Sequence, residues 1–300
     1  MPLDKIKNLL GEPYYSADGC LLYNIDCLPA MKILPNCILD LTVTSPPYNI
    51  GKEYEKPLLL QEYLEWCRQW ITEIYRLTKS NGAFWLNLGY LSIPDRAKAI
   101  PIPYLLWDRI PFYLIQEIVW NYGAGVAGKT FFSPRNEKFL WYVKNESEYV
   151  FNLDDVRDPE VKYPKQKKNG KIKVNPLGKN PTDVWQFPKV TSGKNRASKE
   201  RTPHPAQFPI SVIERIIKVS SSEGNIVLDP FLGSGTTAIV ALALKRTVIG
   251  FELKSEYCEI AAKRIKDFLE LKQIRESQRS MFSEDELSTE STYFEVASSD

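Results

Sequence analysis

Two short stretches hold residues whose types and spacing could do chemistry. The first is Thr44-Ser45-Pro46-Pro47-Tyr48-Asn49. Prolines fix φ and lack a backbone N–H. They would hold the Ser45 hydroxyl and the Pro46 carbonyl as rigid acceptors. Two acceptors on the protons of an exocyclic base amine would pull its lone pair out of conjugation and aim it at an electrophilic methyl group. Such a transfer depends mostly on positioning and preorganised electrostatics. Tyr48 adds a ring on which a base drawn from a duplex could stack. Taken alone, Ser-Pro-Pro is more often just a stiff loop.

The second stretch is Asp229-Pro230-Phe231-Leu232-Gly233-Ser234-Gly235-Thr236-Thr237. Glycines at 233 and 235 let the backbone turn tightly and approach a ligand closely. Glu252 follows 17 residues after Gly235, near where a Rossmann-like fold places the acid that hydrogen-bonds ribose hydroxyls. A lone G-x-G is weak, but with an acid ending the next strand it points to an adenosine-containing ligand. A Walker phosphate loop would need a lysine that this stretch lacks. A dinucleotide fingerprint remains open, since it tolerates Ala238 in its third small position.

Composition removes several other chemistries. His204 is the only histidine, so no Ser-His-Asp or Cys-His relay has its parts. The cysteines (Cys20, Cys27, Cys37, Cys67, Cys258) form no C-x-x-C pair. They read as reduced thiols rather than zinc ligands, and no metal is expected. No Pro-Cys dipeptide is present, which sets aside methylation at cytosine C5. The longest uninterrupted apolar run, Ala238 to Leu244, is too short to span a bilayer. No secretory signal is visible, so a cytoplasmic location is the default expectation.

Both stretches need elements to position them. Leu39 to Thr44 alternates and is β-branched, the mark of a strand, and it ends where the prolines deny further ladder donors. Leu58 to Lys79 carries a helical apolar stripe, with Ser80-Asn81-Gly82 as its stop. Ala83 to Leu88, Ile115 to Trp120 and Phe139 to Val143 read as further strands. Residues 21–29 read as a strand running into a turn. Ile210 to Val219 reads as a helix. Asn225 to Asp229 is then a strand, Thr236 to Leu244 a helix, Thr247 to Glu252 a strand, and Tyr257 to about Arg275 a helix. This alternation predicts an α/β fold, a doubly wound and mostly parallel sheet with helices on both faces.

Charge is unevenly placed. Arg157 to Arg201 holds thirteen Lys and Arg against four Asp and Glu, a net of +9. A polyanion would bind there. Residues 151–202 therefore read as a small, irregular, basic lobe inserted between residues 1–150 and 203–275. Residues 276–300, rich in Ser and acids, read as a disordered tail.

Ser-Pro-Pro-Tyr together with Asp-Pro-Phe-x-Gly-Ser-Gly-Thr-Thr resembles the signature of the amino-methyltransferases of DNA. The order, catalytic loop first and cofactor loop near the C-terminus, is similar to the β class of that family. The resemblance spans roughly residues 20–270. It implies S-adenosylmethionine as cofactor, held by Asp229, Phe231, Gly233, Gly235, Thr236 and Thr237, with Glu252 on the ribose. Asn24-Ile25-Asp26-Cys27 resembles the family's Gly-Asp-Cys element, which implies that Asp26 contacts the adenine; Ile25 departs from the usual glycine. It implies a catalytic loop of Ser45, Pro46, Pro47 and Tyr48, and residues 151–202 as target-recognition region. Trp185 is expected to pack that region against the rest, and His204 to be structural. In this family Ser-Pro-Pro-Tyr usually accompanies methylation of cytosine N4, and Asp-Pro-Pro-Tyr that of adenine N6. The expected partners are double-stranded DNA and a cognate restriction endonuclease. Methylation of adenine, RNA or a protein amide, and a non-catalytic nucleic-acid module, are the alternatives.

Overall fold

The computed structural model describes residues 2–52, 55–125, 127–190 and 200–281. Helix α1 (Leu3–Leu10) precedes strands β1 (Tyr15–Ala17) and β2 (Cys20–Tyr23), helix α2 (Cys27–Ile33) and strand β3 (Leu39–Thr44). Next come α3 (Leu60–Leu77), β4 (Thr78–Leu88), a small hairpin of β5 (Tyr90–Ile93) and β6 (Ala97–Pro101), and α4 (Ile102–Leu106). Strands β7 (Tyr113–Asn121) and β8 (Asn136–Val143) follow. The basic stretch holds β9 (Lys167–Lys168), β10 (Lys171–Ile172) and β11 (Val184–Gln186). The chain ends in α5 (Ile210–Ser220), β12 (Ile226–Asp229), α6 (Thr236–Ala243), β13 (Thr247–Phe251) and α7 (Ser255–Met281).

Nine strands form one sheet in the order β1-β2-β13-β12-β3-β4-β8-β7-β11. The run from β2 to β4 is parallel, and β8 is antiparallel to both its neighbours. Side chains alternate across the sheet with the period of two that strands impose. Phe84, Leu86 and Leu88 of β4 face one core with α1 to α4. Ala83 and Trp85 face the other, with α5 to α7. The sheet is thus doubly wound with helices on both faces, as the alternation of elements predicted.

One feature of this order positions the site. Strands β3 and β12 are parallel neighbours. The chain leaves β3 through α3 toward β4, and leaves β12 through α6 toward β13, on the opposite side. Their carboxyl ends therefore flank a topological switch point, where open α/β sheets bind ligands.

Three expectations need correction. The helix before β4 stops at Leu77, and Ser80-Asn81-Gly82 lies inside β4, where the β3–β4 register shifts. There Lys144 closes the helix end instead, donating to the carbonyls of Tyr75 and Thr78. The basic stretch is not irregular throughout, because β11 pairs in parallel with β7 at the sheet edge. Helix α7 continues to Met281, past the expected start of the acidic tail; residues 282–300 lie outside the described ones. Among the described residues no helix is long and apolar enough to cross a membrane.

Candidate active site

The last residues of β3 and β12 bond to each other. Thr44 Oγ1 donates to Asp229 Oδ1 at 2.7 Å, across 185 residues of sequence. Thr237 Oγ1, from the first turn of α6, donates to Asp229 Oδ2 at 2.7 Å, and the Phe231 N–H completes the set at 3.1 Å. Asp229 is buried, and that burial raises its pKa to about 6 against the pull of these three donors. This carboxyl joins the two loops singled out in the sequence.

The proline loop is held by side chains from several elements. Tyr63 of α3 donates to the Pro47 carbonyl at 2.9 Å. Ser45 Oγ donates to the Tyr48 hydroxyl at 2.9 Å. That hydroxyl donates to Asn87 Oδ1 at 2.7 Å, with Glu137 Oε2 at 3.3 Å. The Tyr48 ring lies against Gly89, where an added Cβ would come within 2.9 Å of it. Asn49 takes φ +61°, which asparagine tolerates better than most residues. Its side-chain oxygen accepts from the Leu58 N–H at 2.6 Å.

The glycine loop is held by close packing and by hydrogen bonds with Glu252 and Arg264. Gly233 (φ +53°) crosses so close to His204 that a Cβ would lie 2.8 Å from Nε2. Gly235 (φ +81°) starts α6 against Ala261, where a Cβ would sit 3.0 Å from another. Glu252 Oε2 accepts from the Gly233 N–H and Oε1 from the Lys254 N–H, both at 2.9 Å; burial raises the Glu252 pKa. Arg264 of α7 donates to the Ser234 carbonyl at 2.7 Å and to Thr236 Oγ1 at 3.1 Å. Burial lowers its pKa to about 10. Asn24 ties the ends of β2 and β13 by donating to the carbonyls of Glu252 and Leu253. Asp26 caps α2, accepting from the Leu28 N–H at 2.9 Å.

Both loops line one open cleft of about 420 Å³, a size typical of small-molecule sites. Ser45, Pro46, Pro47 and Tyr48 form one wall; Asp229, Phe231, Gly233, Thr236 and Thr237 form the other, with Glu252 and Asp26 beyond them. Gly235 is set back and does not line the cleft. The residues fit an adenosyl sulfonium ligand. A glycine turn leaves no room for a Cβ beside His204. Two carboxylates stand at the adjacent ends of β2 and β13, and the Phe231 ring packs against both Trp66 and Trp70, with centroids at 5.6 and 5.3 Å. Among the described residues no cluster of metal-ligating side chains exists.

Sequence reasoning missed several cleft residues. Asn87, Trp120, Glu137 and Lys189 line it from β4, β7, β8 and the segment after β11. Lys189 Nζ pairs with Glu137 Oε1 at 2.5 Å and sits 3.9 Å from the Tyr122 ring centroid. Asn87 and Glu137 are single polar residues at strand ends, Trp120 is one aromatic near the end of β7, and Lys189 is one lysine in a basic stretch, so nothing local distinguishes them. His204 also lines the cleft. Burial lowers its pKa to about 4, helped by the charge of Arg264. Trp185 is buried, with its ring stacked on Trp85 at 5.7 Å. Lys162, Lys165, Lys167, Lys168, Lys171 and Lys173 are exposed. Lys194, Arg196 and Lys199 lie outside the described residues.

The doubly wound sheet with a cleft at its switch point, lined by a glycine loop, defines a Rossmann-like ligand-binding fold. A family model described as a DNA methylase, of the N6/N4 type, matches residues 39–263, and the chain belongs to that family. The Type II methyltransferase M.ScaI of Streptomyces caespitosus is 61% identical over 263 residues, 88% of this chain and 86% of that protein. The DNA adenine methyltransferase YhdJ of Escherichia coli K12 is 33% identical over 249 residues, 80% of each. Among solved structures, the cytosine-N4-specific PvuII DNA methyltransferase shares the fold with a TM-score of 0.67 at 21% identity, over 86% of this chain and 93% of that one. M1.HpyAVI, solved in complex with S-adenosylmethionine, gives 0.52 at 25% identity, over 82% and 99%. The methyl donor of this DNA methyltransferase is S-adenosylmethionine.

Proposed function

We propose that this chain methylates the N4 amino group of cytosine in duplex DNA, at a specific site, as the modification half of a restriction-modification system. The observation that carries this is the Thr44–Asp229 hydrogen bond, which holds the acceptor loop and the glycine loop on facing walls of one cleft. When bound, S-adenosylmethionine supplies an electrophilic methyl group. Gly233, Thr236 and Thr237 would hold its methionine part with Asp229 and Phe231, and Glu252 and Asp26 its adenosine. Gly235 shapes the turn.

The target base cannot reach such a cleft inside a duplex and must be extruded. Ser45 Oγ and the Pro46 carbonyl then accept its two amine protons. Tyr63 keeps Pro47 in place, and Tyr48 supplies a ring for the base. Two neutral acceptors leave the nitrogen lone pair directed into the cleft. A serine at position 45, where adenine enzymes of the family usually have aspartate, favours cytosine. The fold-level neighbour named as cytosine-N4-specific agrees. Adenine N6 is the second reading, favoured by the relative named as an adenine methyltransferase.

Mass spectrometry of nucleosides from DNA modified by the purified protein tests this. N4-methylcytosine is expected, and N6-methyladenine would overturn the choice of base. The exposed lysines of residues 162–173 would hold the DNA backbone. Affinity for duplex should then fall steeply, about tenfold or more, between 50 and 200 mM salt. The Type II naming of the relatives supports a partner endonuclease of the same site specificity, and a cytoplasmic location beside the DNA.

A further inference from the structure

The polar chain behind Ser45 runs in one direction, and side chains outside both loops set it. Asn87 Nδ2 donates to the Lys138 carbonyl at 3.0 Å, so Oδ1 must face Tyr48. The reversed amide would set two carbonyl oxygens against each other. Glu137, whose Oε1 binds the Lys189 ammonium at 2.5 Å, presents Oε2 to the same phenol. The groups facing the Tyr48 hydroxyl from β4 and β8 are therefore acceptors only. The phenol has one hydrogen, and it goes to that side, to Asn87 at 2.7 Å. Its oxygen is left to accept from Ser45 at 2.9 Å. A serine hydroxyl whose hydrogen is engaged with Tyr48 can only accept from a group in the cleft.

We propose that Asn87 and Glu137, the latter held by Lys189, are positioning residues that set the polarity of Ser45, so that it meets the base amine as an acceptor and not as a donor. The inference rests on the proposed transfer to a base amine. A donor aimed at that nitrogen would occupy the lone pair the reaction needs. It also gives Tyr48 two separable parts, a ring for the base and a hydroxyl for Ser45.

Two variants separate these parts. Tyr48→Phe keeps the ring and removes the hydroxyl. Glu137→Gln replaces a pure acceptor by an amide that can donate to Tyr48 and reverse the chain. Transfer from tritiated S-adenosylmethionine to amplified, unmethylated bacterial DNA is measured, with cofactor binding by calorimetry and melting temperature alongside. Loss of one charge-linked hydrogen-bond network should lower kcat about tenfold in Tyr48→Phe and about threefold or more in Glu137→Gln. KM for DNA and cofactor affinity should stay within about twofold in both. Glu137→Asp should recover much of the rate. Ser45→Ala/Tyr48→Phe should be no slower than Ser45→Ala alone, because both changes act through one oxygen. Wild-type kcat in Tyr48→Phe overturns the inference. Multiplicative losses in the double variant, or losses confined to KM or melting temperature, also overturn it. A wild-type chain that methylates no base amine overturns the reaction itself and this inference with it.

Discussion

The two loops of the cleft lie side by side yet are held in different ways. The proline loop is anchored by polar side chains, an amide from β4, a carboxylate from β8 and a hydroxyl from α3. The glycine loop has hydrogen bonds of its own with Glu252 and Arg264, but it is also packed backbone against neighbours, with Gly233 on His204 and Gly235 on Ala261, which leaves no room for a side chain. The difference separates two kinds of fragility. Removing an oxygen from the first loop should slow the reaction and leave the fold. Adding a carbon to the second should damage the fold itself.

The largest effect tests the packed side. Gly235→Val forces a β-branched residue into a left-handed turn and onto Ala261. It should cost about 3–5 kcal/mol in urea unfolding. A variant of unchanged stability would break the comparison. Ser45→Ala tests the other side. It should lower kcat by about a hundredfold, and move the melting temperature by no more than about 1 °C. A large drop in melting temperature would show that this loop, too, is structural.

A smaller effect uses the single histidine. Burial, then the charge of Arg264, lowers the His204 pKa to about 4. The folded value lies below the unfolded value, so stability from this group is full above about pH 6.5 and is lost as pH falls toward 4. Between pH 7 and pH 5 the wild type should lose about 2 kcal/mol relative to His204→Gln. His204 packs against Gly233 and edge-on against the Tyr257 ring, with centroids at 4.4 Å, and a constant difference across that window would mean that it does not do so as a neutral ring. The smallest effect is Tyr63→Phe, which deletes the bond to the Pro47 carbonyl. About 1 kcal/mol of stability and about threefold in kcat should go with it. No change in kcat would sharpen the comparison by assigning the loop's anchorage to Asn87 and Glu137 alone.

Legibility in the sequence followed the range of the physics involved. The strand at Leu39–Thr44 has the residues and bounds expected from its β-branched alternation. The glycine loop lies between a strand and a helix, as its neighbours implied. Ser80-Asn81-Gly82 misled, because turn-forming residues also suit an irregular strand start, and Lys144 supplied the helix stop from elsewhere in the chain. The strand at Val184–Gln186 was hidden in a lysine-rich stretch. Only pairing with β7 and the stacking of Trp185 on Trp85 make it part of the sheet.

The sequence by itself determined the chemistry available. It holds a serine and two prolines at the end of a strand, a glycine turn with an acid one strand later, and no histidine relay. These are local facts, written in residue type and spacing. The tertiary structure alone decided that Thr44 meets Asp229, that Asn87 and Glu137 face Tyr48, and that Arg264 reaches the glycine loop. Those meetings depend on the order of strands in the sheet. A chain's periodicity shows which face a residue takes, but not which distant strand end lies beside it.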